Sequence, residues 1–206
     1  MARARNPSPT DGRELRTQGR KTMTGLLDAG MEALREKGYH AARVDDVVRI
    51  AGVSHGTFYL YFANKEDLFR AMAERCAQET EALADTLAGV DATAEGRDRL
   101  RAWLADFVAL YRTHGVVIRA WAEQQVSDRE LKSLGKSAFG HITGMLEERL
   151  PAAPPRNGPD LRPIALLALI ERFAYVWISR DLGWSDDQML DTLAGVIHRG
   201  FFRPTD

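Results

Sequence analysis

Five histidines, one cysteine and 29 carboxylates are the groups in this 206-residue chain that could make or break bonds. Their spacing argues against that use. His40, His55, His114, His141 and His198 are scattered, with no His-x-x-x-His or Glu-x-x-His pair to set two metal ligands on one helix face. Cys76 stands alone, so neither an intrachain disulfide nor a cysteine zinc site can form. It reads as a small apolar filler on a helix face, with a redox-sensing thiol as the alternative. No Gly-x-Ser-x-Gly elbow and no glycine-rich phosphate loop occurs. The expectation is a protein that is not an enzyme and that uses no metal or cofactor. Its polar groups would then serve recognition.

The elements that position those groups are helices. Hydrophobic residues make up 45% and charged residues 28%, ordinary globular proportions that argue against general disorder. No alternating strand pattern stands out, and prolines after position 9 fall only at 151, 154, 155, 159, 163 and 204. The predicted fold class is all-α, with about nine helices. Residues 1–15 read as a disordered basic arm. A first helix is predicted over 17–37, with Met23, Leu26, Leu27, Gly30, Met31 and Leu34 on one face and Gly38 as a left-handed terminator. Short helices follow over 44–51 and 55–61, joined by Ala51-Gly52-Val53-Ser54. Asn64 then caps a helix over 65–87. Further helices are expected over 94–113, 116–126, 127–150 (opened by a Ser127-x-x-Glu130 capping box), 160–182 and 186–202, the last capped by Ser185. The longest apolar run, Ile164 to Ile170, is far too short to span a bilayer. No leader peptide is expected, and the cytoplasm is the expected location.

Two short helices joined by a four-residue turn are the size of a helix-turn-helix, whose second helix enters the DNA major groove. Gly52 permits the sharp turn, and Val47, Ile50, Val53 and Phe58 are placed to form its small core. The charge distribution leans the same way. Residues 1–70 carry 12 Lys/Arg against 9 Asp/Glu, whereas residues 71–206 carry 16 against 20.

The run from Val44 to Phe69, VDDVVRIAGVSHGTFYLYFANKEDLF, resembles the TetR-family signature. The likeness covers roughly residues 20–70, and beyond them it is one of architecture only. It implies a helix-turn-helix DNA-binding domain over 16–64 and a ligand-sensing and dimerisation domain over 65–206. It implies DNA contacts at Ser54, His55, Gly56, Thr57, Tyr59, Tyr61 and Lys65, and the residue types suit that role. Gly56 allows close backbone approach. Thr57 and His55 can reach base edges or phosphate. Tyr59 and Tyr61 can donate hydroxyls to phosphate; on pattern alone they would read as core aromatics. Lys65 adds charge at a helix N-terminus that already favours anions. The chain departs from the family where a Ser or Thr usually caps the second helix. Ala42-Arg43 stands there, which weakens the cap by about 1 kcal/mol. Arg43 substitutes as a phosphate contact or is merely solvated. Arg13, Arg16, Arg20 and Lys21 could reach the flanking backbone or the minor groove, or remain solvated.

The resemblance further implies a ligand-responsive transcriptional regulator, a repressor by expectation. It would bind palindromic double-stranded operator DNA as a homodimer, without a membrane partner. Trp103, Phe107, Tyr111, Trp121, Phe139, Met145, Phe173 and Trp177 are first of all core residues. Together they could outline a site for a small apolar or aromatic effector, with Gln124, His141 and Glu171 as candidate polar groups. The last two helices are apolar round much of their circumference. Leu167, Tyr175, Leu190, Leu193, Ile197 and Phe201 are the expected dimer interface, packed as a four-helix bundle. The rival reading is a helical lipid-binding or interaction protein that does not bind DNA.

Overall fold

The computed structural model describes residues 17–122, 129–152 and 158–202. They form eight helices and no strand: α1 (Thr17–Ala41), α2 (Val44–Ala51), α3 (His55–Tyr59), α4 (Lys65–Asp85), α5 (Ala94–Ala122), α6 (Arg129–Arg149), α7 (Arg162–Ser179) and α8 (Asp186–Phe201). The basic arm, Arg13, Arg16, Gln124 and the Ser127 cap lie outside the described residues.

The chain divides into two compact units, one of residues up to Cys76 with Val116–Leu131, the other of Ala77–Gly115 with the residues from Lys132 onward. In the first unit α1 buries Leu26, Leu27, Ala29, Gly30, Met31, Ala33 and Leu34. This is the three-four stripe expected from sequence. Gly30 lets α4 come close: a Cβ there would lie 2.9 Å from both Leu68 Cδ2 and Met72 Sδ. Gly38 has φ 78° and breaks α1 before its last residues, a conformation that favours glycine. Phe58, Phe62, Leu68, Phe69, Met72 and Cys76 complete this core. Val47 and Phe58 lie in it as expected, while Ile50 and Val53 are only half-buried.

In the second unit Arg149 Nε donates to the Leu87 carbonyl at 2.6 Å, holding the end of α6 against the chain beyond α4. The Arg101 guanidinium donates to Asp191 and Asp187 at 2.7 Å each, tying α5 to α8. The buried His198 ring donates through Nε2 to the Asp91 carbonyl at 2.7 Å. Ser185 caps α8: its Oγ accepts from Gln188 N–H at 3.3 Å, and Gln188 Oε1 accepts from Ser185 N–H at 2.9 Å.

The helix count differs from expectation because 94–113 and 116–122 belong to one element. α5 runs unbroken through His114-Gly115. Leu104, Phe107, Val108, Tyr111, His114, Val117 and Ala120 are all buried at three-four spacing, so one packed stripe crosses the expected break. Gly115 is there for space: a Cβ would sit 2.9 Å from Tyr111 Cε1. At the other expected ends the helices stop within a few residues of prediction. Among the described residues, none of these helices is long and apolar enough to cross a membrane.

Candidate functional site

Local chemistry fixes α2 and α3 within the first unit. Arg43 is the N-cap residue of α2, and its side chain makes no capping bond. A guanidinium has no acceptor to offer the free N–H groups. Half of the lost cap is recovered from the other side: Asp46 Oδ2 accepts from Arg43 N–H at 3.1 Å. The other oxygen of Asp46 accepts from Lys37 Nζ at 2.5 Å, joining α2 to α1. Together these hold the Asp46 carboxyl below the usual carboxylate range, with the Lys37 hydrogen bond the leading cause. Gly52 closes α2 with φ 66°, its N–H bonded to the Val48 carbonyl. Val53 N–H bonds to the same carbonyl at 3.1 Å.

Ser54 opens α3 as an N-cap, its Oγ accepting from Thr57 N–H at 3.1 Å. The two hydroxyls also bond to each other at 3.0 Å. Of the expected DNA contacts, Ser54, His55, Gly56 and Tyr59 are exposed, Thr57 and Tyr61 are half-buried, and Arg43 is exposed beside α2. Arg20 and Lys21 are exposed on α1. Between Thr57 and Tyr59, Phe58 points inward and is fully buried. Its ring meets Tyr59 edge-on at 5.3 Å, so one aromatic anchors the other. Gly56 needs no space inside the chain, because a Cβ there would meet only Ser54 Oγ at 3.6 Å. Glycine in a helix carries a cost of about 1 kcal/mol relative to alanine. Among the described residues, nothing within the chain requires a glycine there.

Three features here had weak sequence signals. His55 Nε2 lies 2.7 Å from Asp45 Oδ1, so a recognition-helix side chain is tethered to the first turn of α2. Lys65 is half-buried: its Nζ donates to the Tyr39 carbonyl at 3.1 Å and lies 5.2 Å from the Tyr39 ring. It thus pins the end of α1 as well as adding charge near Asn64, whose Oδ1 caps α4 through Asp67 N–H at 2.8 Å. Leu60, at 66% exposure, presents an apolar side chain next to Tyr59. Only an unpaired leucine between two tyrosines hinted at it.

In the second unit Trp103, Phe107 and Tyr111 form a buried row along α5, with ring centroids 5.8 and 6.1 Å apart. Trp103 Nε1 donates to the Leu83 carbonyl at 2.9 Å, and Tyr111 OH donates to Glu171 Oε1 at 2.7 Å. Met145 and Trp177 are buried. Half-buried Phe173 stands 6.4 Å from the Trp177 ring, and the Arg112 guanidinium lies 5.6 Å from the same ring. Two expected lining residues are not grouped with this row. Phe139 is 47% exposed, because it falls on the solvent side of α6. Trp121 belongs to the first unit, with its buried Nε1 unpartnered among the described residues. Of the polar candidates, Glu171 joins the row through Tyr111, whereas His141 is exposed and pairs with Asp85 at 3.2 Å. His114, read from sequence as part of a helix terminus, is fully buried and bonded to Glu79. The three-residue step from Tyr111 was the signal that could have found it.

The expected interface residues divide. Leu167, Leu190, Leu193 and Ile197 are buried within their own unit, so they belong to the chain's own core. Tyr175 and Phe201 are half-buried. The large apolar side chains that α7 and α8 leave exposed are Ile164, Ile178 and Val196. A stripe apolar on both sides cannot be divided by sequence into its inward and outward halves.

Residues 26–72 match the family model of bacterial regulatory proteins of the tetR family. A fatty acid metabolism regulator protein of Bacillus subtilis is 26% identical over 193 residues, covering 88% of this chain and 98% of the relative. The fold is also that of solved regulators. FadR from Bacillus subtilis, crystallised with stearoyl-CoA, aligns with a TM-score of 0.60 at 22% identity, over 86% of this chain and 98% of its own. LfrR from Mycobacterium smegmatis, a TetR-like regulator crystallised with proflavine, aligns with a TM-score of 0.64 at 20% identity, over 91% and 98%.

Proposed function

We propose that the chain is a bacterial transcriptional regulator of the TetR family, a cytoplasmic repressor that binds palindromic operator DNA as a homodimer and is released by an apolar or aromatic small molecule. The observation that carries the reading is α3 itself. A Ser54-capped helix buries Phe58 and leaves His55, Gly56 and Tyr59 exposed within the segment that matches the family model. We assign DNA binding to residues 16–64, with 1–15 as an accessory basic arm, and sensing and dimerisation to residues 65–206. Ser54, His55, Gly56, Thr57, Tyr59, Tyr61, Lys65 and Arg43 form the DNA-facing set.

The buried row Trp103-Phe107-Tyr111, with Met145, Phe173 and Trp177, supports an effector with an apolar or flat aromatic body. A stearoyl chain and proflavine, the partners of two structural relatives, are bodies of that kind. For the dimer, Ile164, Ile178 and Val196 with Tyr175 and Phe201 replace the buried leucines as the surface offered to a second copy. The test is a mobility shift on the DNA flanking the chain's own gene, with light scattering on the free protein. A salt-dependent shift and a mass of twice 23.0 kDa are expected. Failure to shift any fragment at low salt would overturn the assignment and favour a lipid-binding or interaction protein.

A further inference from the structure

The polar atoms along the buried stripe of α5 are paired one by one. Trp103 Nε1 donates to Leu83, Tyr111 OH donates to Glu171, and His114 Nε2 lies 2.8 Å from Glu79 Oε2. Within the second unit His114 Nδ1 is the exception among the described residues: fully buried, it has no hydrogen-bond partner. The other buried histidine of this unit, His198, is anchored on the Asp91 carbonyl and leaves no such atom.

The tether to Glu79 decides what Nδ1 can do. A carboxylate only accepts, so Nε2 carries the hydrogen and the ring is held in one orientation. In the neutral ring Nδ1 is then a lone pair, an acceptor without a donor. The Tyr111 hydroxyl, one turn back on the stripe, is engaged by Glu171. Tyr111 precedes His114 by three residues, and its ring covers the helix at Gly115. Nδ1 is therefore an acceptor on the same buried stripe of α5 as the Trp103-Phe107-Tyr111 row. Glu79 and Glu171, both bonded to this segment, make the surroundings unfavourable to an anion.

Resting on the reading of this unit as a sensor, we propose that His114 Nδ1 is the acceptor that selects the effector, and that the effector is a flat apolar molecule carrying a hydroxyl or N–H donor rather than a carboxylate. A buried polar atom left unpaired is unfavourable, and a ligand that supplies the missing donor removes that cost. A ligand with the same body but no donor leaves it in place.

Calorimetric titration of the full chain near neutral pH with 2-naphthol, 2-methoxynaphthalene and 2-naphthoate tests this. The naphthol should bind about tenfold more tightly than its methyl ether, and the naphthoate weakest. His114→Phe should abolish the difference between alcohol and ether while both still bind. Should that variant fail to fold, nitrogen NMR of the unaltered protein decides. The Nδ1 signal of His114 should move on adding the naphthol and stay put on adding the ether. Equal affinity for alcohol and ether, preference for the naphthoate, an unmoved Nδ1 signal or no binding of any of the three overturns the proposal. The predicted preference with unchanged operator affinity leaves His114 as the selector and counts against the repressor reading instead. Operator release that is indifferent to His114→Phe does the reverse.

Discussion

In α3 the polar side chains bond close to the surface, Ser54 with Thr57 at the helix's own terminus and His55 with Asp45 in the first turn of α2. In the second unit the polar atoms of α5 reach inward, Trp103 to a carbonyl and Tyr111 to a carboxylate. The first arrangement suits a large charged partner. The second satisfies groups that water cannot reach. Binding a polymer of phosphates asks for a rigid, wetted display, whereas sensing a small apolar molecule asks for an interior whose polar atoms are nearly all accounted for. The two regions should therefore respond differently to substitution.

The largest contrast lies in packing. Phe58→Ala empties the centre of the helix-turn-helix core and should cost about 3–5 kcal/mol, read as a lower urea midpoint, with operator binding lost. A midpoint within error of the unaltered protein would mean that the recognition helix does not depend on that anchor.

Gly115→Ala probes the second unit. The new Cβ meets a Tyr111 ring whose hydroxyl is held by Glu171, so the ring cannot swing aside freely. Overpacking of about 1–3 kcal/mol should outweigh the gain of about 1 kcal/mol in helix propensity. Calorimetric melting should register a lower Tm and the salt slope of operator binding should be unaltered. A higher Tm would show that propensity wins and that Tyr111 is free to move.

Lys65→Ala should weaken binding to every DNA sequence and reduce the salt slope by about 1. It should also loosen the end of α1, since the Tyr39 carbonyl loses its donor. A change in thermal stability with an unchanged salt slope would assign Lys65 to structure alone. Gly56→Ala sets up the opposite pattern. Stability should hold or rise by up to about 1 kcal/mol, because the methyl has room, while operator affinity falls. Undiminished affinity would remove Gly56 from the DNA-facing surface.

The smallest effect concerns acid. Asp46 has a depressed carboxyl pKa in the folded chain, so the stability it contributes is present above the unfolded value and is lost as pH falls through the folded one. Asp46→Asn should therefore flatten part of the acid limb of the stability curve. An acid limb identical in both proteins would show that the Lys37 contact is immaterial to folding.

How much of this was legible in the sequence follows from the range of the interactions. Asn64, Ser185 and Gly52 act within a few residues of themselves, and each ends or opens a helix where its type says it should, while Gly38 interrupts α1 three residues before its end. Gly115 has the same residue type as Gly38 but a different reason, and only the position of the Tyr111 ring distinguishes them. Asp46 replaced a cap that the residues before α2 do not supply, through a side chain three positions along. The aromatic row on α5 was visible from its spacing. The burial of His114, the exposure of Phe139 and the inward turn of Leu193 and Ile197 depend on which face of each helix meets a neighbour, and helical periodicity alone does not say which.

The alternation along α3, inward at Phe58 and outward at Gly56 and Tyr59, has a consequence on an evolutionary timescale. Phe58, which anchors the element, is distinct from Gly56 and Tyr59, which it displays. A lineage can therefore change the displayed residues one at a time, drifting toward a new binding site in the genome, without passing through an ancestor that fails to fold.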